Sequence, residues 1–183
     1  VALDIAASEV YYTRVQYDFA APAGWKAHLF ASTDRGANFS PVAFVGQRNQ
    51  TALFSPTYGD TRVFLLAGTQ LSTLTPGSHA RVPVSTLPHT LTSGDSVALS
   101  GGVTSGGQTF LYAFYSNDGD GLTRVYYSAN AGASWTPRTP APTSMFSLNS
   151  AESSTRDPNR LFVGGVDLYR SADGGNSWTL VNS

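Results

Sequence analysis

One eight-residue pattern recurs along this chain and constrains its fold more than any other feature. Ser171-Ala-Asp173-Gly-Gly175-Asn-Ser-Trp178 shares its skeleton with Ser32-Thr-Asp34-Arg-Gly36-Ala-Asn-Phe39. Ser128-Ala-Asn130-Ala-Gly132-Ala-Ser-Trp135 repeats it with Asn in place of Asp. The rule is Ser, any residue, Asp or Asn, any residue, Gly, two more, then an aromatic. A single turn of this kind says little, but a turn that returns at intervals implies a supersecondary unit that returns with it. In a hairpin turn the Asp or Asn oxygen accepts backbone N–H groups, expected two residues on. Gly takes the φ > 0 position, the Ser hydroxyl closes the other end, and the aromatic packs against the sheet. Asn130 keeps the acceptor oxygen and loses the charge, which a structural turn tolerates and a metal ligand or general acid does not.

Each copy lies between stretches of alternating β-branched and aromatic residues, the mark of strands. The first unit reads as strands at 1–5, 9–15, 28–31 and 39–45. A second, without a clear motif, reads as 52–55, 62–67 and 81–84, with Ser72-Thr-Leu-Thr-Pro-Gly77 standing where the turn belongs. The third reads as 96–99, 109–115, 124–127 and 135–136. The fourth has 160–166, 167–170 and 178–181, with Met145-Phe-Ser-Leu148 as its inner strand. Turn starts are spaced by 40, 56 and 43 residues. Four strands on a period near 40–45 predict an all-β chain of β-propeller blades, four antiparallel four-stranded units at about 1–45, 46–93, 94–142 and 143–183 in one domain.

The turn motif resembles the Asp-box, or BNR repeat, of sialidases, sortilin-like receptors, xyloglucanase-type glycoside hydrolases and the photosystem II assembly factor family. The resemblance spans the whole chain and implies a propeller; these families share the blade and differ in chemistry. It also implies six or more blades, so four in register read as an arc or half of a larger ring, with a closed four-blade ring the other reading. The apolar blade faces of an arc predict a partner, either a second copy or another chain that completes the propeller.

Composition narrows the function classes. Net charge is −1 and charged residues are 13% of the chain, about half the usual share of roughly 25%. Lys26 is the sole lysine, and no basic patch points to nucleic acid or anionic lipid. Without cysteine there is no disulfide scaffold, thiolate metal site or cysteine nucleophile. The longest apolar run, Val63–Ala67, is far short of a membrane span. The first residue, Val1, is read as a processed or excised terminus, so an exported chain, extracellular or periplasmic, or a piece of a longer one, is expected.

Function is expected on the face that carries the loops between second and third strands. Two of these are long, 18–27 and 116–123. Tyr17, Phe19 and Trp25 read as stacking platforms for sugar or protein, or as a loop folded onto its own blade. Asp118 and Asp120, in Ser116-Asn-Asp-Gly-Asp-Gly121, resemble half of a calcium loop, although Tyr127 stands where a bidentate Glu is needed; bare turn composition is the other reading. No other cofactor is expected. The arginine-bearing signature of sialidases has no counterpart. A xyloglucanase-type enzyme needs an opposed Asp pair, for which Asp4 and Asp95, near inner strands, are the candidates. His28, His79 and His89 are scattered, with no spacing that forms a metal site or triad. The reading these features favour is a non-catalytic binding or assembly module for protein or glycan. A hydrolase segment, or a subunit that assembles through open blade edges, are the alternatives.

Overall fold

The computed structural model describes residues 2–4 as backbone, and 8–19, 24–56, 59–117, 119–143 and 151–181 with their side chains. They form sixteen strands and no helix, divided between two compact units, Val1–Thr86 and Leu87–Ser183.

In the first unit β1 (Ala2–Asp4), β2 (Glu9–Asp18), β3 (Gly24–Ser32) and β4 (Ser40–Gln47) make one antiparallel meander. A second is built from β5 (Thr51–Phe54), β6 (Val63–Ala67), β7 (Gln70–Leu74) and β8 (Arg81–Thr86). Alternate residues of these strands share a face. The inward set, Tyr11, Ala27, Leu29, Val45, Val63, Leu65 and Leu74, forms one buried cluster between the two sheets.

The second unit repeats the plan. Its first sheet holds β9 (Ser96–Val103), β10 (Thr109–Asn117), β11 (Leu122–Ser128) and β12 (Thr136–Pro137). Its second holds β13 (Ala151–Ser153), β14 (Leu161–Gly164), β15 (Leu168–Ser171) and β16 (Thr179–Leu180). Phe110, Tyr112, Phe114, Val125, Leu161 and Val163 fill the space between them. Every side chain of β10 from Thr109 to Ser116 is buried, which is why this strand reads as a continuous apolar run rather than an alternation.

Two expectations change. The stretch 72–77 is not the second unit's turn: Ser72–Leu74 complete β7, and the turn lies at 75–80. The last sheet takes its inner strand from Ala151–Ser153; Met145–Leu148 lie outside the described residues.

The three motif turns share one hydrogen-bond scheme. The hydroxyls of Ser32, Ser128 and Ser171 donate to Oδ1 of Asp34, Asn130 and Asp173 at 2.6, 2.9 and 2.7 Å. They accept from the N–H of Gly36, Gly132 and Gly175 at 2.8, 2.8 and 2.9 Å. The same Oδ1 reaches four residues on, to the N–H of Asn38, Ser134 and Ser177, beyond the expected two. The three glycines sit at φ of 89°, 86° and 85°, where a β-carbon is disfavoured. Hydrogen bonds hold two carboxyls down at about 2: Asp34 chiefly through Ser32 and then Asn38, Asp173 chiefly through Ser177. Of the aromatics, Phe39 packs edge-on to Tyr12 with centroids 4.8 Å apart, Trp178 donates to the Thr139 carbonyl at 2.9 Å, and Trp135 is half-buried.

The turn at 75–80 has no Asp of its own and borrows a carboxylate. Glu9, buried on β2 in the neighbouring sheet, accepts the Gly77 N–H at 2.8 Å and also accepts from the Tyr11 hydroxyl. His79 Nδ1 lies 3.2 Å from that hydroxyl. The turn itself is exposed, and it is the buried Glu9 carboxylate that finds its donors there and on Tyr11.

Candidate functional site

The 18–27 segment of the first unit is a hairpin rather than a long loop. β2 and β3 run on to pair Tyr17 with Trp25 and Asp18 with Gly24. Direct pairing puts Tyr17 and Trp25 on one face, and Phe19, two residues on, joins them. Tyr17 stands edge-to-face with Phe19 at 4.9 Å and with Trp25 at 5.4 Å between centroids. All three are open to solvent, 43%, 87% and 51% exposed. The Arg48 guanidinium lies 5.6 Å from the Trp25 ring. A Lys26–Asp18 ion pair at 2.6 Å braces the hairpin, with Lys26 nearly buried. The structure thus gathers the three aromatic candidates into one exposed patch.

The second unit holds an open cleft of about 540 Å³ and mixed polarity, lined by the segment ahead of β9 and by the β10–β11 hairpin. This hairpin also extends further than expected, pairing Ser116 with Thr123 and Asn117 with Leu122. Asp95, 3% exposed, accepts the Thr92 N–H at 2.7 Å and lies 3.2 Å from His89 Nε2. Burial works against its charge, but the hydrogen bonds from Thr92 and His89 outweigh it and hold the carboxyl below the usual range. His89 Nδ1 is 3.1 Å from the Tyr126 hydroxyl, and its ring stacks on Tyr115 with centroids 4.0 Å apart. Asp120 lines the same cavity, paired with Arg124 and accepting the Leu122 N–H at 3.1 Å.

Of the calcium candidates, Asp118 lies outside the described residues and Asp120 is committed to Arg124. No cluster of three or more His, Cys, Asp or Glu able to hold a metal occurs among the described residues. Of the catalytic candidates, Asp4 is described as β1 backbone alone. Asp95 is a buried, ionised carboxylate saturated by donors, fit to orient His89 rather than to donate a proton. The histidines are less isolated than their spacing implies, since His79 meets Tyr11 and His89 meets Asp95 and Tyr126. His89, Arg124 and Tyr126 are among the cavity residues that sequence reasoning missed; His89 and Tyr126, 37 residues apart on different elements, carry no shared local signal.

No family model matches the sequence, and no curated protein matches it. Among solved structures, an ancestral GH74 enzyme superposes on 86% of this chain at 18% identity, with a TM-score of 0.55. YCF48 bound to a D1 peptide covers 85% at 18% identity and a TM-score of 0.47. A NanB sialidase variant from Streptococcus pneumoniae covers 90% at 12% identity and 0.43. The match takes in 22% of the GH74 chain, 50% of the YCF48 chain and 35% of the sialidase chain, so this chain spans well under two thirds of each. No helix among the described residues is long and apolar enough to cross a membrane. Four meanders of four antiparallel strands, with this likeness to the GH74 structure, are blades of a β-propeller.

Proposed function

We propose that this chain is an exported, non-catalytic binding module of the Asp-box propeller type, which captures a protein or glycan partner through the aromatic tip of the β2–β3 hairpin. The observation that carries the reading is the convergence of Tyr17, Phe19 and Trp25 on one exposed face, with Arg48 against the indole. Tyr, Trp and Arg are the side chains most enriched where binding energy concentrates. The shared turn geometry supports the Asp-box assignment. The hydrolase alternative draws less support, because the Asp95 carboxylate is already filled by its own neighbours. A partner that completes the propeller belongs to the same proposal. The last sheet supports it with Phe162, Val166, Leu180 and Val181, all more than 40% exposed.

The test is capture of immobilised plant and bacterial polysaccharides and of candidate proteins by the purified chain and by Trp25→Ala and Phe19→Ala variants. Loss of an anchor of this kind weakens binding by about tenfold or more, with thermal stability unchanged because both side chains are exposed. Capture that survives both substitutions refutes the proposed site.

A further inference from the structure

The motif serines give equivalent positions in three of the sheets. Opposite Ser32, Ser128 and Ser171 stand Val10, Leu111 and Leu161, and the next residue along each strand is an aromatic: Tyr11, Tyr112 and Phe162. Successive strand residues alternate faces, so the aromatics hold one face of their sheets and the aliphatic residues the other. Tyr11 and Tyr112 are each 1% exposed, whereas Phe162 is 46% exposed.

The first two are covered in the same way in both units. The sheet that follows lays two residues of its second strand against the ring, Val63 and Leu65 in the cluster of Tyr11, Leu161 and Val163 in the cluster of Tyr112. It also brings its turn to the hydroxyl. His79 Nδ1 lies 3.2 Å from that of Tyr11, and Tyr112 donates to the carbonyls of Pro158 at 2.7 Å and Gly174 at 3.3 Å. Phe162 has no hydroxyl, so its cover has to supply only apolar atoms. The ring lines an open cleft of about 550 Å³ with Arg160, Arg170 and Thr179, the last two in its own cross-strand row.

A matching cover exists on the first sheet. Val10 stands opposite Ser32 as Leu161 stands opposite Ser171, and Tyr12 corresponds to Val163. Both lie on the face turned away from the Tyr11 cluster, and both are half-buried. Phe30 stacks on Tyr12 with centroids 5.0 Å apart, and Phe44, near His28 in the same sheet, is 49% exposed. Packing the last sheet's face on its own copy would crowd two Arg170 guanidinium groups around the two Phe162 rings. Packed on the first sheet, Arg170 meets the rings of Tyr12 and Phe30, whose faces attract a cation.

We propose that the Phe162 face of one copy docks head to tail on the Val10–Tyr12–Phe30 face of a second copy, as one blade packs on the next. The proposal rests on the reading above of a partner that completes the propeller, and names that partner. Four strands about 4.8 Å apart and about six residues long give each face roughly 400 Å². That is the size class of weak, reversible complexes, so association is expected at roughly micromolar concentrations and above.

The test is sedimentation velocity on the purified chain from about 1 µM to 1 mM. The parent is expected to grow in size with concentration. Phe162→Glu and Phe44→Glu, each alone, raise the concentration needed by about tenfold or more. Mixed in equal amounts they associate again as a heterodimer, because each keeps the face the other has lost. Arg170→Glu and Arg14→Glu, at exposed positions on the same two faces, take their place should a melting curve show the fold disturbed. Trp25→Ala associates like the parent. A parent that stays monomeric throughout, a mixture that does not associate, or loss through one face variant and not the other overturns the proposal. Association abolished by Trp25→Ala and untouched by both face variants overturns it while leaving the hairpin tip as a contact. The tip's capture assay uses neither face, so it decides the binding-module reading separately.

Discussion

Substituting Gly102 by Ala strikes the closest approach between the two sheets of the second unit. Gly102 is buried on β9, opposite Phe110. A β-carbon there would lie 1.9 Å from the carbonyl oxygen of Thr155, 2.3 Å from its carbon and 2.6 Å from its Cα. These are backbone atoms, so no rotamer relieves the overlap, and the chain after β13 must retreat. That retreat strains the Val103 N–H bond to Thr155 at 3.0 Å. It also strains the 3.0 Å bonds by which the Ser100 hydroxyl meets the Ser153 hydroxyl and N–H. Overpacking of this kind costs about 1–3 kcal/mol, and each weakened hydrogen bond about 1 kcal/mol. A gain of about 0.5–1 kcal/mol from removing a strand glycine offsets part of it. The net is about 4 kcal/mol, which in a chain of this size lowers the melting temperature by about 8–16 °C. Thermal unfolding followed by circular dichroism measures it, with amide exchange at Val103 as the local readout. Gly106→Ala is the control, since the nearest atom to its β-carbon would be Thr104 Oγ1 at 3.8 Å. A Gly102→Ala protein that melts with the parent and keeps Val103 protected refutes the packing argument.

Two further outcomes are expected. Asp34 and Asp173 have folded values near 2, below their ordinary 3.8. Their turns are therefore at full strength above pH 3.8 and weaken as pH falls toward 2, whereas the Asn130 turn has no proton to gain. Amide shifts of Asn38 and Ser177 should titrate there while Ser134 stays still, and equal movement at all three counts against the hydrogen-bond scheme. Light scattering on the purified chain should report a dimer or larger species, and a well-folded monomer counts against a second copy as the completing partner.

Legibility in the sequence followed the range of the interactions. The turns at 32, 128 and 171 were readable because each donor and acceptor lies within four residues of its partner. β10 was readable because a strand buried on both faces is apolar throughout. β7 was misplaced because the motif skeleton was sought at 72–77, where the chain still alternates as strand; its turn has lost the Asp that marks the others. Tyr17 and Trp25 were singled out by residue type, yet their segment was read as loop, since pairing of Tyr17 with Trp25 and Asp18 with Gly24 depends on cross-strand register. Composition leaves Asp120 open between half of a calcium loop and a bare turn, and the structure gives its carboxylate to Arg124. His89 was passed over, because a histidine declares its role only through what surrounds it.

The sequence by itself determined an all-β chain of four repeating units, with turns closed by Ser, Asp or Asn, and Gly. Those features rest on period-two alternation and on hydrogen bonds that begin and end within one turn. Only the tertiary structure decided which carboxylate serves which turn and where a cavity opens. Glu9 completes a turn 68 residues away, and Asp95, His89 and Tyr126 meet from separate elements. Such contacts form when sheets pack, and the packing depends on register and on buried groups finding partners across the chain, which local pattern does not encode.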